Sequence, residues 1–298
     1  MTALHLPRAA LRFGPYARIL RCLSVSARSG LLLGGAVLLL AIMAAVFAPW
    51  LAPRDPYAQE LSRRFLPPFW MDGTQPDHLL GTDGFGRDYL SRLIYGTRVS
   101  LLIGVSVTAI SGLIGATLGL VAGYFGGKLD LAITFLTAAR LSLPIILVAM
   151  AIVVVFGGST TVVMLTLGFL LWDQFAIVMR TATQQVRQND FVAAARLAGS
   201  SHLRIMTREI LPNLLGHLAV VATAVVADAI LLEAALSFLG FGVQEPIPSW
   251  GLMLAKGREV MLFDTWVVAL PGAALLALVF TINLVGDGLR DVIAPDAR

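Results

Sequence analysis

Acidic residues inside apolar segments have the clearest chemical potential in this sequence. Asp173, Asp228 and Glu233 each interrupt a long apolar run. A charge at the centre of a membrane helix costs about 2.5–3.5 kcal/mol on insertion scales, so such a carboxylate lines a polar path or bonds to a neighbouring helix. Both roles are open for Asp228 and for Glu233. Asp173 follows Trp172, and a position at the membrane interface would relieve its cost.

No arrangement of residues in the sequence predicts catalysis. There is no H-E-x-x-H pair and no G-x-x-x-x-G-K-[ST] phosphate loop, so the chain cannot hydrolyse ATP by that route. The single cysteine, Cys22, excludes an internal disulfide and a cysteine-based metal cluster. A lone histidine such as His217 does not make a metal site. An intramembrane enzyme or an independent channel would need more converging polar groups than three acids supply.

A polar and basic segment, Asp190–Pro212, separates two of the apolar runs. It reads as two short helices broken at Gly199, because glycine adopts the left-handed conformation that ends a helix. Ser200 or Ser201 can cap the second helix. Pro212 suits the first turn of the membrane helix that follows. The small side chains of residues 193–195 would let a partner approach closely, although an ordinary basic loop at the membrane surface has the same composition.

Composition requires membrane helices to hold these residues. The chain of 298 residues is 57% hydrophobic and only 13% charged, against about 25% charged in soluble domains. A span needs roughly 20 apolar residues, and six runs qualify, two of them separated by a turn at residues 157–160. They are about Leu31–Leu51, Val99–Tyr124, Ala138–Phe156, Thr161–Met179, Asn213–Leu239 and Thr265–Val285. The sequence therefore predicts an all-α polytopic membrane protein.

Arginine placement predicts the orientation. Residues 1–30 carry five arginines and no acid, which indicates a cytoplasmic start. Alternation then places residues 241–264 outside and both termini inside. The apolar run near the start is too long for a cleaved signal peptide and lacks a clear cleavage site, which favours an uncleaved anchor. We divide the chain into a cytoplasmic tail (1–30), an anchor helix with an external segment (31–98), a transmembrane domain (99–290) with a cytoplasmic loop (181–212), and a cytoplasmic tail (291–298).

The cytoplasmic loop resembles the "EAA" loop of permease subunits in binding-protein-dependent ABC importers. The resemblance is carried by Ala194, Ala195, Gly199, Leu211 and Pro212 in their observed spacing. In that family the loop docks in a groove of a cytoplasmic ATPase, so the resemblance implies that these residues couple the chain to its ATPase. Ala193 stands where the motif has Glu, and Glu209 where it has Ile. Docking would therefore rest on shape and on the Gly199 turn rather than on a charge at position 193.

Three further segments narrow the resemblance to the dipeptide/oligopeptide/nickel branch of this family. They are His78–Asp88 with Ser91, Arg92 and Gly96–Leu101; Glu233–Gly242 with Pro248–Gly251; and Asn283–Asp291. The extra N-terminal anchor and the long external segment match the "C"-type subunit. Within its motif Glu233 is implied to have a structural role near the outer face, whereas Asp228 belongs to none of these motifs.

The resemblance implies a type I ABC importer permease (MetI-like) fold with an extra N-terminal anchor helix, in the bacterial inner membrane. The chain would form half of a translocation path beside a "B"-type permease. A periplasmic or lipid-anchored binding protein would deliver the solute, and two ATPase subunits would bind the ATP. No cofactor of its own and no nucleic acid is implied. Peptide is the implied cargo, and nickel, glutathione or another small solute remains open.

Two expectations concern packing. Gly115 and Gly119 have the small-xxx-small spacing that lets membrane helices approach closely. Arg140, near the start of the third predicted span, is expected to extend to the cytoplasmic surface, as long basic side chains do.

Overall fold

The computed structural model describes the backbone of residues 15–293 and the side chains of residues 30–292. The predicted tails, 1–30 and 291–298, lie mostly outside these residues. Nearly all regular structure is helical, which confirms the predicted all-α class. The helices are α1 (Pro15–Val46), α2 (Ala48–Leu51), α3 (Tyr89–Phe125), α4 (Gly127–Leu141), α5 (Ile145–Phe156), α6 (Thr160–Leu170), α7 (Trp172–Val186), α8 (Asp190–Leu197), α9 (His202–Arg204), α10 (Leu211–Phe238), α11 (Trp250–Gly257) and α12 (Trp266–Ile293), with a 3₁₀ turn at Leu61–Arg63 and a π-helix at Ile205–Ile210.

Four helical stretches in the described part of the chain are long and apolar enough to cross a membrane. They are Tyr89–Phe125, Thr160–Val186, His202–Phe238 and Trp266–Val292. The pair α4 and α5 makes a fifth if it is counted as one broken span. The first predicted span corresponds to a shorter apolar helix, Gly30–Val46. Of the six predicted spans, four or five correspond to candidate spans in the structure, and one corresponds to the shorter helix.

The third predicted span, Ala138–Phe156, is wrong as a single helix. α4 begins eleven residues earlier and ends at Leu141, and α5 follows at an angle of 83°. Pro144, which precedes α5, disfavours helical backbone in the residue before it, so the first helix stops there. Lys128 and Asp130 interrupt the apolar pattern of α4, which is why hydropathy missed this helix.

α3 and α7 pack backbone against backbone. A methyl group at Gly115 would overlap the carbonyl oxygen of Trp172, and one at Gly119 would overlap that of Ala176. The predicted close packing at these two glycines is therefore confirmed. α7 also continues to Val186, past the predicted end at Met179, with a single break from α6 at Leu171. The two helices form a common support that reaches the loop at residues 181–212.

A buried group that we call the inner cluster fixes the loop at residues 181–212 to this support. Its members come from α3, α7, α8, the π-helix and α10. They are Leu120, Tyr124, Met179, Ala182, Val192, Ile205, Met206, Ile210 and Leu214. Burial of an aliphatic side chain contributes roughly 1.5–3 kcal/mol, and Val192, Ile205 and Ile210 are fully buried. Both halves of the loop are therefore anchored by their apolar sides.

Candidate functional site

The first half of the loop is α8 and the turn that ends it. The amide of Gly199 donates to the carbonyl of Arg196 at 3.0 Å, and that of Ser200 to the carbonyl of Ala195 at 3.1 Å. This is the hydrogen-bond pattern of a Schellman turn, which needs a left-handed residue at its centre. Gly199 supplies it with a φ of +76°. The predicted helix stop at Gly199 is confirmed.

The second half of the loop is part of a longer helix. Ser201 caps it by accepting from the amide of Arg204, as predicted. The helix then continues without interruption from His202 to Phe238, so the expected separate short helix ending before Pro212 is wrong. A π-helix at residues 205–210 makes this continuity possible. The amide of Leu211 donates to the carbonyl of Met206, five residues back, and the wider turn accommodates Pro212, which has no N–H to donate.

The predicted coupling residues differ in their exposure. Ala194 and Gly199 are exposed, Ala195 and Leu211 are half-buried, and Pro212 is exposed. Two larger apolar side chains of the same loop, which sequence reasoning did not single out, are also exposed: Leu197 is 90% exposed and Leu203 is 68% exposed. Three arginines of the loop, Arg196, Arg204 and Arg208, are exposed as well. The loop thus exposes small and aliphatic residues together with basic ones.

Glu233 is fully buried near the C-terminal end of α10. Its Oε1 accepts from the hydroxyls of Ser237 and Ser249, each at 2.7 Å. Ser237 in turn accepts from the amide of Val243 at 3.0 Å. The carboxylate therefore ties the end of α10 to the segment that precedes α11. This arrangement agrees with the structural role implied for Glu233.

Asp228 is bonded to a neighbouring helix. The side-chain amide of Gln174, on α7, donates to its Oδ2 at 2.8 Å. The interhelical hydrogen bond that was one of the two alternatives for Asp228 is therefore present. The residue also remains half-exposed, and a charge within a span faces a protein partner or a polar path rather than lipid.

Asp173 and Arg140 form an ion pair that sequence reasoning missed. Nη1 of Arg140 lies 3.2 Å from Oδ2 of Asp173, whose side chain is 2% exposed. Asp173 occupies the middle of the span Thr160–Val186. The pair joins the last turn of α4 to the first turn of α7, and Arg140 is half-buried in it.

A network of charged residues joins the start of α3 to the segment that follows α10. Arg87 donates to Asp83 at 2.7 Å and to both carboxylate oxygens of Glu245, at 2.6 and 3.1 Å. Arg92, fully buried in α3, lies 3.4 Å from Asp83. Burial alone would raise the pKa of Glu245, but the hydrogen bond from Arg87 and the nearby arginine charges hold that pKa below its usual value.

Metal-binding chemistry has no basis in the described residues. Across this part of the chain no three histidine, cysteine, aspartate or glutamate side chains are grouped so that they could hold an ion. The arrangement instead offers an exposed surface on the loop at residues 181–212, polar contacts between helices, and a charge network at the opposite end of α3.

Family models match most of the chain. Residues 115–298 match the model "Binding-protein-dependent transport system inner membrane component". Residues 28–68 match the "N-terminal TM domain of oligopeptide transport permease C". The second match covers the region predicted to hold the extra N-terminal anchor.

Curated relatives are similar over nearly their whole length. The di/tripeptide transport system permease protein DppC of Pseudomonas aeruginosa is 43% identical over 267 residues, which are 89% of this chain and 88% of that protein. The dipeptide transport system permease protein DppC of Escherichia coli K12 is 44% identical over 269 residues, 90% of each protein. The Haemophilus influenzae protein of the same name is 39% identical over 269 residues, 90% of this chain and 91% of that protein.

A solved structure supports the fold. The MetNI methionine ABC transporter, in an inward-facing conformation, contains a chain that matches with a TM-score of 0.56 and 17% identity, over 70% of this chain and 97% of that one. The predicted MetI-like fold is thus confirmed, as is a multi-pass, non-catalytic subunit of an inner-membrane complex that includes ATPase subunits. On the two family models and the curated relatives, this chain belongs to the family of binding-protein-dependent transport system inner membrane components.

Proposed function

We propose that this chain is a permease subunit for the import of dipeptides or oligopeptides. The substrate assignment is supported by the names of relatives that are 39–44% identical. In this proposal the chain forms half of the translocation path beside a homologous "B"-type permease. A periplasmic or lipid-anchored binding protein delivers the peptide, and two cytoplasmic ATPase subunits drive the cycle. Both termini lie in the cytoplasm.

The observation that carries the coupling role is the surface of the loop at residues 190–212. Ala194, with Ala195 and the Gly199 turn, presents a helix side that a partner can approach closely. Leu197 and Leu203 add exposed aliphatic contacts, which are favourable in a protein groove and costly in water. Position 193 carries no charge, so shape complementarity contributes most to the affinity of the loop for the ATPase.

The path itself is proposed to include Asp228. Its half-exposed carboxylate on α10 is oriented by Gln174 of α7. A carboxylate at this depth would attract the amino group of a peptide, and the amide of Gln174 would keep it in place between transport events. We leave Glu233 out of the path, because its full burial and the two hydroxyls that donate to it support a role in the scaffold.

Reconstitution tests the proposal. The complete complex, with its binding protein, is placed in proteoliposomes and supplied with ATP on the ATPase side. We expect uptake of labelled dipeptide, and competition by longer peptides rather than by nickel or glutathione. Uptake of nickel or glutathione with no peptide uptake would reject the substrate class.

A variant tests the docking surface. Ala194→Arg places a long charged side chain on the exposed side of α8 and should abolish uptake while membrane insertion continues. Gln188→Arg, which adds the same charge at an exposed position just before α8, is the matched control and should retain uptake. Normal uptake by Ala194→Arg would contradict the coupling role of the loop.

A further inference from the structure

The cytoplasmic end of α3 is held by residues from both halves of the loop. Tyr124, the penultimate residue of α3, is 5% exposed. Its hydroxyl lies 2.9 Å from Nδ1 of His202. The guanidinium of Arg196 lies 5.2 Å from the centre of its ring, within the range of a cation–π interaction. Arg196 precedes the Gly199 turn and His202 follows it.

Neighbouring contacts enclose the same position. The ring of Phe125 lies 5.6 Å from that of His202. Arg187, just after α7, donates to the carbonyls of Gly123 at 2.8 Å and of Tyr124 at 3.2 Å. The last carbonyls of a helix have no partner within the helix and carry its partial negative charge. The basic side chains of the loop therefore converge on the end of α3 for an electrostatic reason.

These contacts differ in kind from the rest of the inner cluster. The aliphatic members of that cluster, such as Val192 and Ile205, make non-directional contacts, so another apolar residue could take the place of either one. The hydroxyl of Tyr124 has one direction and one partner in the loop. A shift of the loop relative to α3 would break that bond, whereas a shared shift would preserve it.

α3 is suited to carry such a shift across the membrane. It is a 37-residue helix whose backbone contacts α7 at Gly115 and Gly119. Its outer end carries Arg92, which belongs to the charge network with Asp83 and Glu245. A displacement at Tyr124 would therefore reach the outer face through one continuous helix.

We propose that Tyr124 is a positioning residue that makes α3 follow the movements of the coupling loop, through its hydroxyl bond to His202 and its ring contact with Arg196. This inference rests on the proposed function of the loop. It identifies α3 as the helix that moves with the loop, which the loop motif alone does not do. The Tyr124–His202 bond then transmits movement from the loop to α3 and is not needed for the loop to bind the ATPase.

The test compares peptide uptake with ATP turnover. Tyr124→Phe removes the hydroxyl and keeps the ring that packs against Arg196 and Phe125. In the reconstituted complex with its binding protein we expect peptide imported per ATP hydrolysed to fall about two- to tenfold, the factor that corresponds to one hydrogen bond. Recovery of the ATPase subunits with the purified chain should be unchanged, because the docking surface is intact.

Two controls sharpen the result. Thr117→Val also removes a hydroxyl from α3, but that hydroxyl is exposed and bonds only to carbonyls of its own helix, so the ratio should stay at the wild-type value. Tyr124→Phe combined with His202→Phe should lower the ratio no further than His202→Phe alone, since both changes remove the same bond.

The proposal is overturned if the ratio of Tyr124→Phe equals that of the wild type, or if the two changes act additively. It is also overturned if Tyr124→Phe prevents assembly, because the residue would then be structural only. Failure of the docking proposal is distinguishable. In that case Ala194→Arg would retain uptake, whatever the behaviour of Tyr124.

Discussion

At the scale of single residues, the turn after α8 depends on one backbone angle. Gly199 has a φ of +76°, and a side chain added there would meet no described atom within 4 Å. A substitution therefore introduces backbone strain and not a clash. For residues other than glycine the left-handed conformation costs roughly 1–2 kcal/mol, and β-branched residues fit it worst.

We expect Gly199→Val to abolish uptake while the protein still inserts in the membrane, because the turn that orients α8 against the helix beginning at His202 is lost. Uptake normalised to membrane-inserted protein is the measurement. Gly240→Val is the matched control, since Gly240 has a φ of +86° and equally open surroundings in the turn after α10. It should lower the amount of protein by a similar factor without loss of uptake per complex. Wild-type uptake by Gly199→Val would contradict the prediction.

The outer charge network predicts a pH dependence of stability. The pKa of Glu245 is below its ordinary value of 4.5, so its ion pair stabilises the fold fully above that pH and is lost as the pH falls through the lowered pKa. Thermal unfolding in detergent should therefore show a loss of stability below about pH 4.5 that is weaker in Glu245→Gln.

Glu259→Gln provides the comparison for Glu245→Gln. The side chain of Glu259 is 66% exposed, and its ion pair with Lys256 is 3.8 Å long. Its removal should leave the pH profile unchanged, since exposed pairs contribute little. Identical acid profiles for the wild type and Glu245→Gln would show that the network does not stabilise the outer face.

At the scale of helices, the ion pair between α4 and α7 connects two helices that are broken at similar positions. Arg140 lies just before the break that separates α4 from α5, and Asp173 just after the break between α6 and α7. Removing one partner of a buried pair leaves an uncompensated charge, which costs about 3–5 kcal/mol, whereas replacing both with apolar residues is often neutral.

Asp173→Leu alone should therefore lower the yield and the thermal stability of the detergent-solubilised protein strongly. Asp173→Leu with Arg140→Met should recover most of the loss. Fluorescence-detected size exclusion after heating measures both. A double variant no more stable than the single one would indicate that the two charges do not compensate each other.

Local signals made some elements predictable from sequence. Gly199, Ser201 and the apolar spacing around them lie within a few residues of each other, so the helix stop and the cap follow from local chemistry. The Arg140–Asp173 pair joins residues far apart in sequence, and no local pattern carries that contact. Pro144 was a local signal for the break between α4 and α5, but the apolar residues around it led to the prediction of one continuous span. The π-helix had no signal that the apolar pattern could separate from an α-helix.

At the scale of the whole molecule, orientation is the proposal with the widest consequences. If the loop is cytoplasmic, the external segment that contains Trp70 must be periplasmic. The single cysteine, Cys22, can be replaced by serine to give a background without thiols. Trp70→Cys and Leu203→Cys then place one thiol on each side, at residues that are 50% and 68% exposed.

A membrane-impermeant maleimide applied to intact cells should label the cysteine at position 70. The cysteine at position 203 should react only after the membrane is permeabilised. The reverse pattern would overturn the orientation and, with it, the coupling role of the loop, since the ATPase is cytoplasmic.

The backbone contact between α3 and α7 also limits how this gene can vary. A methyl group at position 115, 119 or 123 would overlap a carbonyl oxygen of α7, so each of these positions admits a single amino acid. Exposed apolar positions on the same helix, such as Leu113 with 71% exposure, are expected to accept many different apolar amino acids. A one-letter change in any of these three glycine codons is thus either synonymous or disabling, so the three positions have almost no neutral variants through which they could drift.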